Sequence, residues 1–437
     1  MSIHTSVVAT TMSGPEPVAP PPWSRATLVA FRFGFSLAAL SFFDFVTFVG
    51  NYLFFDRIRK SVDRWTGSLA DSAFFQSTRY LGAFLLRLVT GSAETVEQTA
   101  QRYGFALCIA LGLLLIGSIV TVVWSVADRR RVEYRALNRW LRVYARYTLA
   151  LVMMTYAVVK VIPTQFGFLT PGELLRPVGQ LNRFWVLWDF MAVSTGYTVF
   201  AGLVELLGCV LLFFRRTTLL GALLLLVTLT NVFAMDVAYN VLGAAIVAGL
   251  LIVLSMIVIA PYAAPLGNVL LLAQADSMPA EPLTFLPRWR FAPLAKVLIL
   301  ALLIAILVAG GLQQRRSYFG RGNAFFGLFD VDRFVRAGVP INPSADDVKT
   351  WKRVASDGRY DSGGLTVQFA SGDVRQYQLL EDTANRLWTV RERSKIIATL
   401  TYTAAPDGSV SLDGRIGGDP VQLHLRPVDV RSFPLLK

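Results

Sequence analysis

Glu205 is the residue most able to do chemistry in this sequence. It stands in A-G-L-V-E-L-L-G-C-V-L-L-F-F, well inside an apolar stretch. Holding a carboxylate near a bilayer centre costs about 2.5–3.5 kcal/mol on insertion scales, and such groups face protein or a cavity. Its neighbours three and four positions away are Gly202, Gly208, Ala201 and Cys209. A face of small residues lets another backbone approach closely, so the carboxylate is expected to face protein. Two readings stay open: a protonated or hydrogen-bonded Glu that locks helices together, or a group that holds a ligand, proton or ion.

Lys160 ends Y-A-V-V-K-V-I-P, with Tyr156 one turn earlier on the same helical face. Asp236 and Asn240 lie one turn apart at the end of another apolar stretch. If successive stretches alternate in direction, Lys160 and Asp236 share a depth and Glu205 lies some two turns deeper. The lysine stem can bridge part of that difference, so a Lys160–acid pair is open. The plainer reading has Lys160 and Asp236 merely reaching the interface. Lys160, Tyr156, Glu205, Asp236 and Asn240 form the candidate ligand-binding set. No catalytic residue is assigned, because G-x-S-x-G, G-x-x-x-x-G-K-[ST] and H-E-x-x-H are all missing. His4 and His424 lie near the two ends of the chain, outside the apolar stretches, so no metal site and no intrinsic cofactor is expected. Cys108 and Cys209 fall at different depths of apolar stretches and read as buried small hydrophobes, not a disulfide.

These residues need a membrane scaffold. The 437 residues are 54% hydrophobic and only 16% charged, against about a quarter charged in soluble chains. A spanning helix needs about 20 mainly apolar residues. Seven stretches qualify: 27–50, 104–127, 144–163, 196–214, 217–238, 241–260 and 294–311. Phe74–Val89 is interrupted by Gln76, Arg79 and Arg87 and is expected to be an interfacial helix. Phe184–Val193, aromatic and carrying Asp189, is expected at the surface before the chain turns inward. Residues 1–24, rich in proline, read as a disordered leader.

The net charge of +13 does not point to nucleic acid, because the arginines sit in short loops beside apolar runs. Arg129, Arg130 and Arg131, then Arg215 and Arg216, then Arg288 and Arg290, fall on one side if seven helices alternate. That side is expected to be cytoplasmic, with the N-terminus inside and the C-terminus outside; Arg315 and Arg316 oppose this and are outvoted.

From about Gly320 the pattern becomes period two. Strands are expected at Leu328–Val335, Trp351–Ala355, Leu365–Phe369, Val374–Leu380, Leu387–Arg391, Ile397–Thr403, Val410–Leu412 and Val421–Leu425. A-S-G-D, D-T-A-N and A-P-D-G supply hairpin turns between them. Eight consecutive short strands favour a meander closed into a small antiparallel barrel. The expected fold is an α-helical membrane bundle of about seven transmembrane helices with a C-terminal all-β soluble domain. Its parts are the leader, N-terminal helices over 25–143, a core over 144–264, a loop and last span over 265–318, and the β domain over 319–437.

The run R-R-R-V-E-Y-R-A-L-N-R-W-L-R-V-Y-A-R-Y from Arg129, then M-M-T-Y-A-V-V-K-V-I-P-T-Q-F, then E-L-L-G and F-F-R-R-T-T-L-L-G-A-L, resembles the DoxX family. More closely, the chain is similar to long bacterial DoxX-like membrane proteins with extra helices and a C-terminal β domain. V-T-G-S-A-E-T, G-L-F-D-V-D-R-F and T-W-K-R-V extend that likeness. The resemblance implies a four-helix core over 144–264, in the bacterial plasma membrane. Relatives include a subunit of a thiosulfate:quinone oxidoreductase and membrane partners of superoxide dismutase and sulfurtransferase. It also implies a pocket for an isoprenoid quinone and partners among redox-complex subunits, besides the lipid bilayer. Where relatives have Tyr-Asp-Val-Pro-Val-Lys, this chain has Tyr239-Asn240-Val241-Leu242-Gly243-Ala244, so an acid and a base are missing from that patch. The leading expectation is an accessory, quinone- or lipid-binding subunit of a redox or oxidative-stress complex. The alternatives are a transporter or channel using Glu205 and Asp236, and a scaffold whose β domain recruits a partner.

Overall fold

In a computed structural model of the chain, the described residues are 22–40, 73–274, 291–319, 325–342, 344, 347–357 and 364–436. Nearly all of the proline-rich leader, the second part of the 27–50 stretch, and Arg288 and Arg290 lie outside them. The helices are α1 (Arg25–Leu40), α2 (Ala73–Thr90), α3 (Val96–Tyr103), α4 (Phe105–Ala127), α5 (Arg135–Val161), α6 (Arg183–Val193), α7 (Thr195–Phe213), α8 (Thr218–Ala238), α9 (Leu242–Ile259), α10 (Ala263–Leu272) and α11 (Ala292–Phe319).

Among the described residues, five helices are long and apolar enough to cross a membrane, not seven. They lie in α4, α7, α8, α9 continued through α10, and α11. The 27–50 stretch is described only as far as Leu40. The 144–163 stretch is the second half of α5, where Arg146, Lys160 and three tyrosines dilute the apolar character. Its polarity has a structural reason, because α5 is buried by its neighbours along most of that length. α5 packs on α7, α7 on α8, α8 on α9, and α9 back on α5. Arg146 donates from Nε to the carbonyl of Leu212, one of the orphan carbonyls at the end of α7. A guanidinium there also complements the negative end of the helix dipole. Leu149, Met153, Met154, Leu212, Leu225, Leu229 and Leu251 fill the middle, each at most 2% exposed.

Glycines set the helix spacing. A Cβ on Gly202 would come within 2.8 Å of the Ala157 carbonyl oxygen and of Lys160 Cβ. One on Gly221 would stand 2.8 Å from the Gly208 carbonyl oxygen. Small residues therefore draw α5 and α8 onto α7, as expected for helices that cannot rely on the hydrophobic effect within lipid. The 74–89 segment, expected at the surface, is α2 and packs lengthwise on α4. Gly82 abuts the Cys108 carbonyl, and Gly112 abuts that of Thr78. Both cysteines are buried and free.

The C-terminal part is an antiparallel barrel of β1 (Gly327–Arg336), β2 (Val339–Pro340), β3 (Trp351–Asp357), β4 (Gly364–Phe369), β5 (Val374–Asp382), β6 (Leu387–Glu392), β7 (Lys395–Ala404), β8 (Val410–Ile416) and β9 (Asp419–Val428). From β3 each strand pairs with the next, and β1 joins β3 on one side and β9 on the other, so eight strands close. β2 only extends the edge of β1. The eight expected strands all form, and period-two alternation sends Leu365, Val367, Leu379, Trp388, Val390, Leu400, Leu412 and Leu425 inward. That interior is filled with side chains. Gly417 and Gly418 both take positive φ, 61° and 97°, as the tight β8–β9 hairpin requires.

Three carboxylates pin the connecting turns. Asp347 accepts from the Thr350 hydroxyl and from the backbone N–H groups of Lys349 and Thr350. Asp382 holds Ala384 and Asn385, and Asp407 holds Ser409. The bond from Thr350 is the largest influence holding the Asp347 carboxyl below the usual carboxylate range. The Asn385 and Ser409 side chains do the same for Asp382 and Asp407. A depressed folded-state pKa means the stabilisation is present above the unfolded value, 3.8, and is lost as pH falls through the folded value. The melting temperature of the β domain should therefore drop in acid below about pH 4. The drop should be shallower for the Asp347→Asn, Asp382→Asn, Asp407→Asn triple variant, read by circular dichroism. An equal acid response in both proteins would remove these turns as the cause.

Candidate functional site

A cavity of about 350 Å³ lies between α5, α7, α8 and α9, under α6 and the loop that follows α5. Lys160, Tyr156, Glu205 and Asp236 all line it. Lys160 Nζ donates to Glu205 Oε1 at 2.5 Å, with the two side chains 9% and 3% exposed. The pair is possible because Gly202 brings α5 so close that Lys160 stands level with it. Glu205 is then one turn deeper than Lys160, not two. Asp236 is 7% exposed and lies within electrostatic reach of Lys160.

Asn240 is not among the lining residues. It has φ 63° and ends α8: its N–H donates to the Val237 carbonyl, and the Val241 N–H to that of Asp236. That is a Schellman cap, in which Asn takes the left-handed position usually given to Gly. The cap also fixes where the Asp236 side chain leaves the helix.

Three acceptors at the cavity wall are buried without a hydrogen-bond partner among the described residues: Glu205 Oε2, Asp236 Oδ2 and Gln165 Oε1. An unsatisfied buried polar atom costs about 1–3 kcal/mol, so this concentration in one place asks for an occupant. The missing groups are donors. A ligand head carrying hydroxyl or N–H groups would satisfy them, and a proton shared between ligand and carboxylates would serve as well. Apart from Thr228 and Asn231, the rest of the wall is apolar and aromatic, with Phe166, Trp188, Met191 and Phe200 among its members, and suits a greasy body.

The roof is tied to the barrel. Gly172 donates its N–H to Asp357 Oδ1 at 3.1 Å. Leu175 is 5% exposed and clusters with Leu328 and Ala355 of the barrel. Arg176 holds Asp189 of α6 through Nη2 at 3.0 Å and lies over the Trp185 ring at 5.0 Å. The loop after α5 is therefore gripped by the barrel on one side and by α6 on the other. Asp189, expected only to mark a surface helix, is the anchor of that grip. Gln165, Trp188 and the Gly172–Asp357 contact had no legible signal, because each depends on a loop fold or on residues nearly two hundred positions apart.

Among the described residues no cluster of three His, Cys, Asp or Glu groups is placed to hold a metal ion. No protein-family model matches the chain, and no solved structure matches it. It is 30% identical over 107 residues to "Uncharacterized protein YwoB" of Bacillus subtilis (strain 168), a match covering 24% of this chain and 68% of that one. With that share of the relative covered at that identity, the chain belongs to the same family as YwoB.

Proposed function

We propose that this is a multi-pass protein of the bacterial plasma membrane whose bundle binds the head of an isoprenoid quinone or similar lipid, as an accessory subunit of a membrane-associated redox or oxidative-stress complex. The observation that carries the reading is the cavity with the Lys160–Glu205 pair and three unpartnered acceptors in a mostly apolar wall. The DoxX-like motifs around Lys160 and Glu205 support the ligand class. In this reading α1 and α5 also cross, giving seven spans with the barrel outside. Electron transfer would need redox partners, since quinone chemistry belongs to the bound group.

This chain's residues would supply position and protons. Asp236 and Glu205 would take hydrogen bonds from the hydroxyls of the reduced, quinol form of the head, and Lys160 would hold the Glu205 side chain in place through its bond to Oε1. Transport is disfavoured because Leu149, Leu212, Leu225 and Leu251 fill the bundle core with apolar side chains. The test is a solvent extract of protein purified in mild detergent, analysed by mass spectrometry for quinones and other lipids. Wild type should carry near-stoichiometric quinone or quinol, and Glu205→Gln, whose amide oxygen can still accept from Lys160, should lose a larger share of it than of its folded yield. Bulk phospholipid alone in both extracts would sink the reading.

A further inference from the structure

We infer a second lipid site, for an anionic phospholipid headgroup, in the basic hollow where α4 ends and α5 begins. This open cavity of about 910 Å³ is lined by Arg130, Arg131, Arg135 and Arg139 together with Asp128 and Glu133. Its acids are already engaged. Asp128 accepts from the Tyr134 hydroxyl at 2.7 Å, and Glu133 is paired with Arg135. Arg130 and Arg139 are exposed, so the lining arginines leave an excess of positive charge facing the hollow.

The hollow is a built feature, not a floppy arginine loop. Arg32 of α1 is 4% exposed and reaches across to hold it. It donates to the Ser125 hydroxyl at 3.0 Å, to the Asp128 carbonyl at 3.0 Å and to the Tyr134 hydroxyl at 3.1 Å. Trp23, Phe31, Trp124 and Tyr134 pack around that anchor. The buried cation fixes the turn, and the exposed guanidiniums are left for something else.

Position selects the ligand. The spanning part of α4 ends at Ala127, so the hollow lies at headgroup depth. Val122, Val123 and Val126 are 61–69% exposed on the last turns of α4, and Trp140 is 55% exposed on α5. Acyl chains can lie along the valines while a phosphate diester sits among Arg130, Arg131 and Arg139. Guanidinium groups bind phosphate oxygens through paired N–H donors, and basic pockets between spanning helices favour acidic lipids. An indole at the same level suits the interface. A soluble phosphate would use the arginines but not the valines.

The experiment uses the full chain in nanodiscs of phosphatidylcholine with a minor share of phosphatidylglycerol, released for native mass spectrometry. Phosphatidylglycerol should be enriched among the retained lipids over its share of the bilayer. Arg130→Gln with Arg139→Gln should reduce that enrichment by about fivefold for each arginine removed. Lys352→Gln with Lys395→Gln, the same charge change on the barrel, should leave it intact. Equal retention of both lipids would overturn the site. So would binding of inorganic phosphate in pure phosphatidylcholine discs without any lipid preference in the mixed ones. Loss of quinone from the other cavity would leave this result untouched, so the two readings fail separately.

Discussion

Glu205→Ala should destabilise the bundle by about 3–5 kcal/mol, because it leaves the Lys160 ammonium buried without its partner. The single variant should therefore give a much lower yield of folded protein and a lower melting temperature in detergent. The double variant Lys160→Met, Glu205→Leu should recover most of that stability. Removing both charges together ends the desolvation penalty of each, and well-packed apolar pairs often match or exceed a buried ion pair. Ligand retention should not recover, since the double variant has lost the acceptor at Oε2 as well as the pair. This split between stability and binding separates the two readings of Glu205. A pair kept only to lock α5 to α7 would be dispensable in the double variant. A pair kept for a ligand would not. A single variant as stable as wild type would mean Lys160 finds Asp236 instead, and the coupling with Glu205 would be wrong.

The β domain was legible almost strand by strand because a barrel is governed by a local, period-two code. Each strand of the barrel shows its inward residues every second position, and D-T-A-N and A-P-D-G mark turns in the chain itself. Closure by β1 on β9 follows from there being eight of them. The membrane part was less legible where burial by protein replaces burial by lipid. α5 carries Arg146, Lys160 and tyrosines where α7 and α9 cover it, so the apolar stretch at 144–163 reports burial by protein and not only by lipid. The Gly202, Gly208 face was informative because small residues report close approach whatever lies opposite. What they could not report was register: Gly202 stands level with Lys160, which puts Glu205 one turn along α7 from it. Asn240 carries a second role that its spacing did not show: one turn from Asp236, its left-handed backbone makes it the stop of α8.

The contact least visible in the sequence carries the second large effect. Gly172→Val should release the loop after α5 from the barrel. The new Cβ would stand 2.4 Å from Asp357 Oδ2, 2.5 Å from Thr366 Oγ1 and 3.1 Å from Thr366 Cβ. A carboxylate can rotate away, at the loss of its bond from the Gly172 N–H, but a β-branched side chain also strikes the threonine carbon on β4, which cannot follow. Overpacking of this kind costs about 1–3 kcal/mol, and losing a hydrogen bond to a charged acceptor adds to it. Hydrogen exchange over residues 164–182 should therefore quicken by one to two orders of magnitude, given about tenfold per 1.4 kcal/mol. The barrel strands should stay protected, because Trp388, Leu365 and Leu400 hold a separate core. Gln165 and Phe166 belong to both the released loop and the cavity wall, so ligand retention should fall with the docking. Adding Thr366→Ala to the variant removes the Oγ1 that would stand 2.5 Å from the new Cβ, leaving only the Thr366 Cβ position and the carboxylate to adjust, and should restore part of both. If exchange rises while the ligand stays, the barrel rests on the roof without shaping the site beneath it, and the cavity is closed by α6 alone.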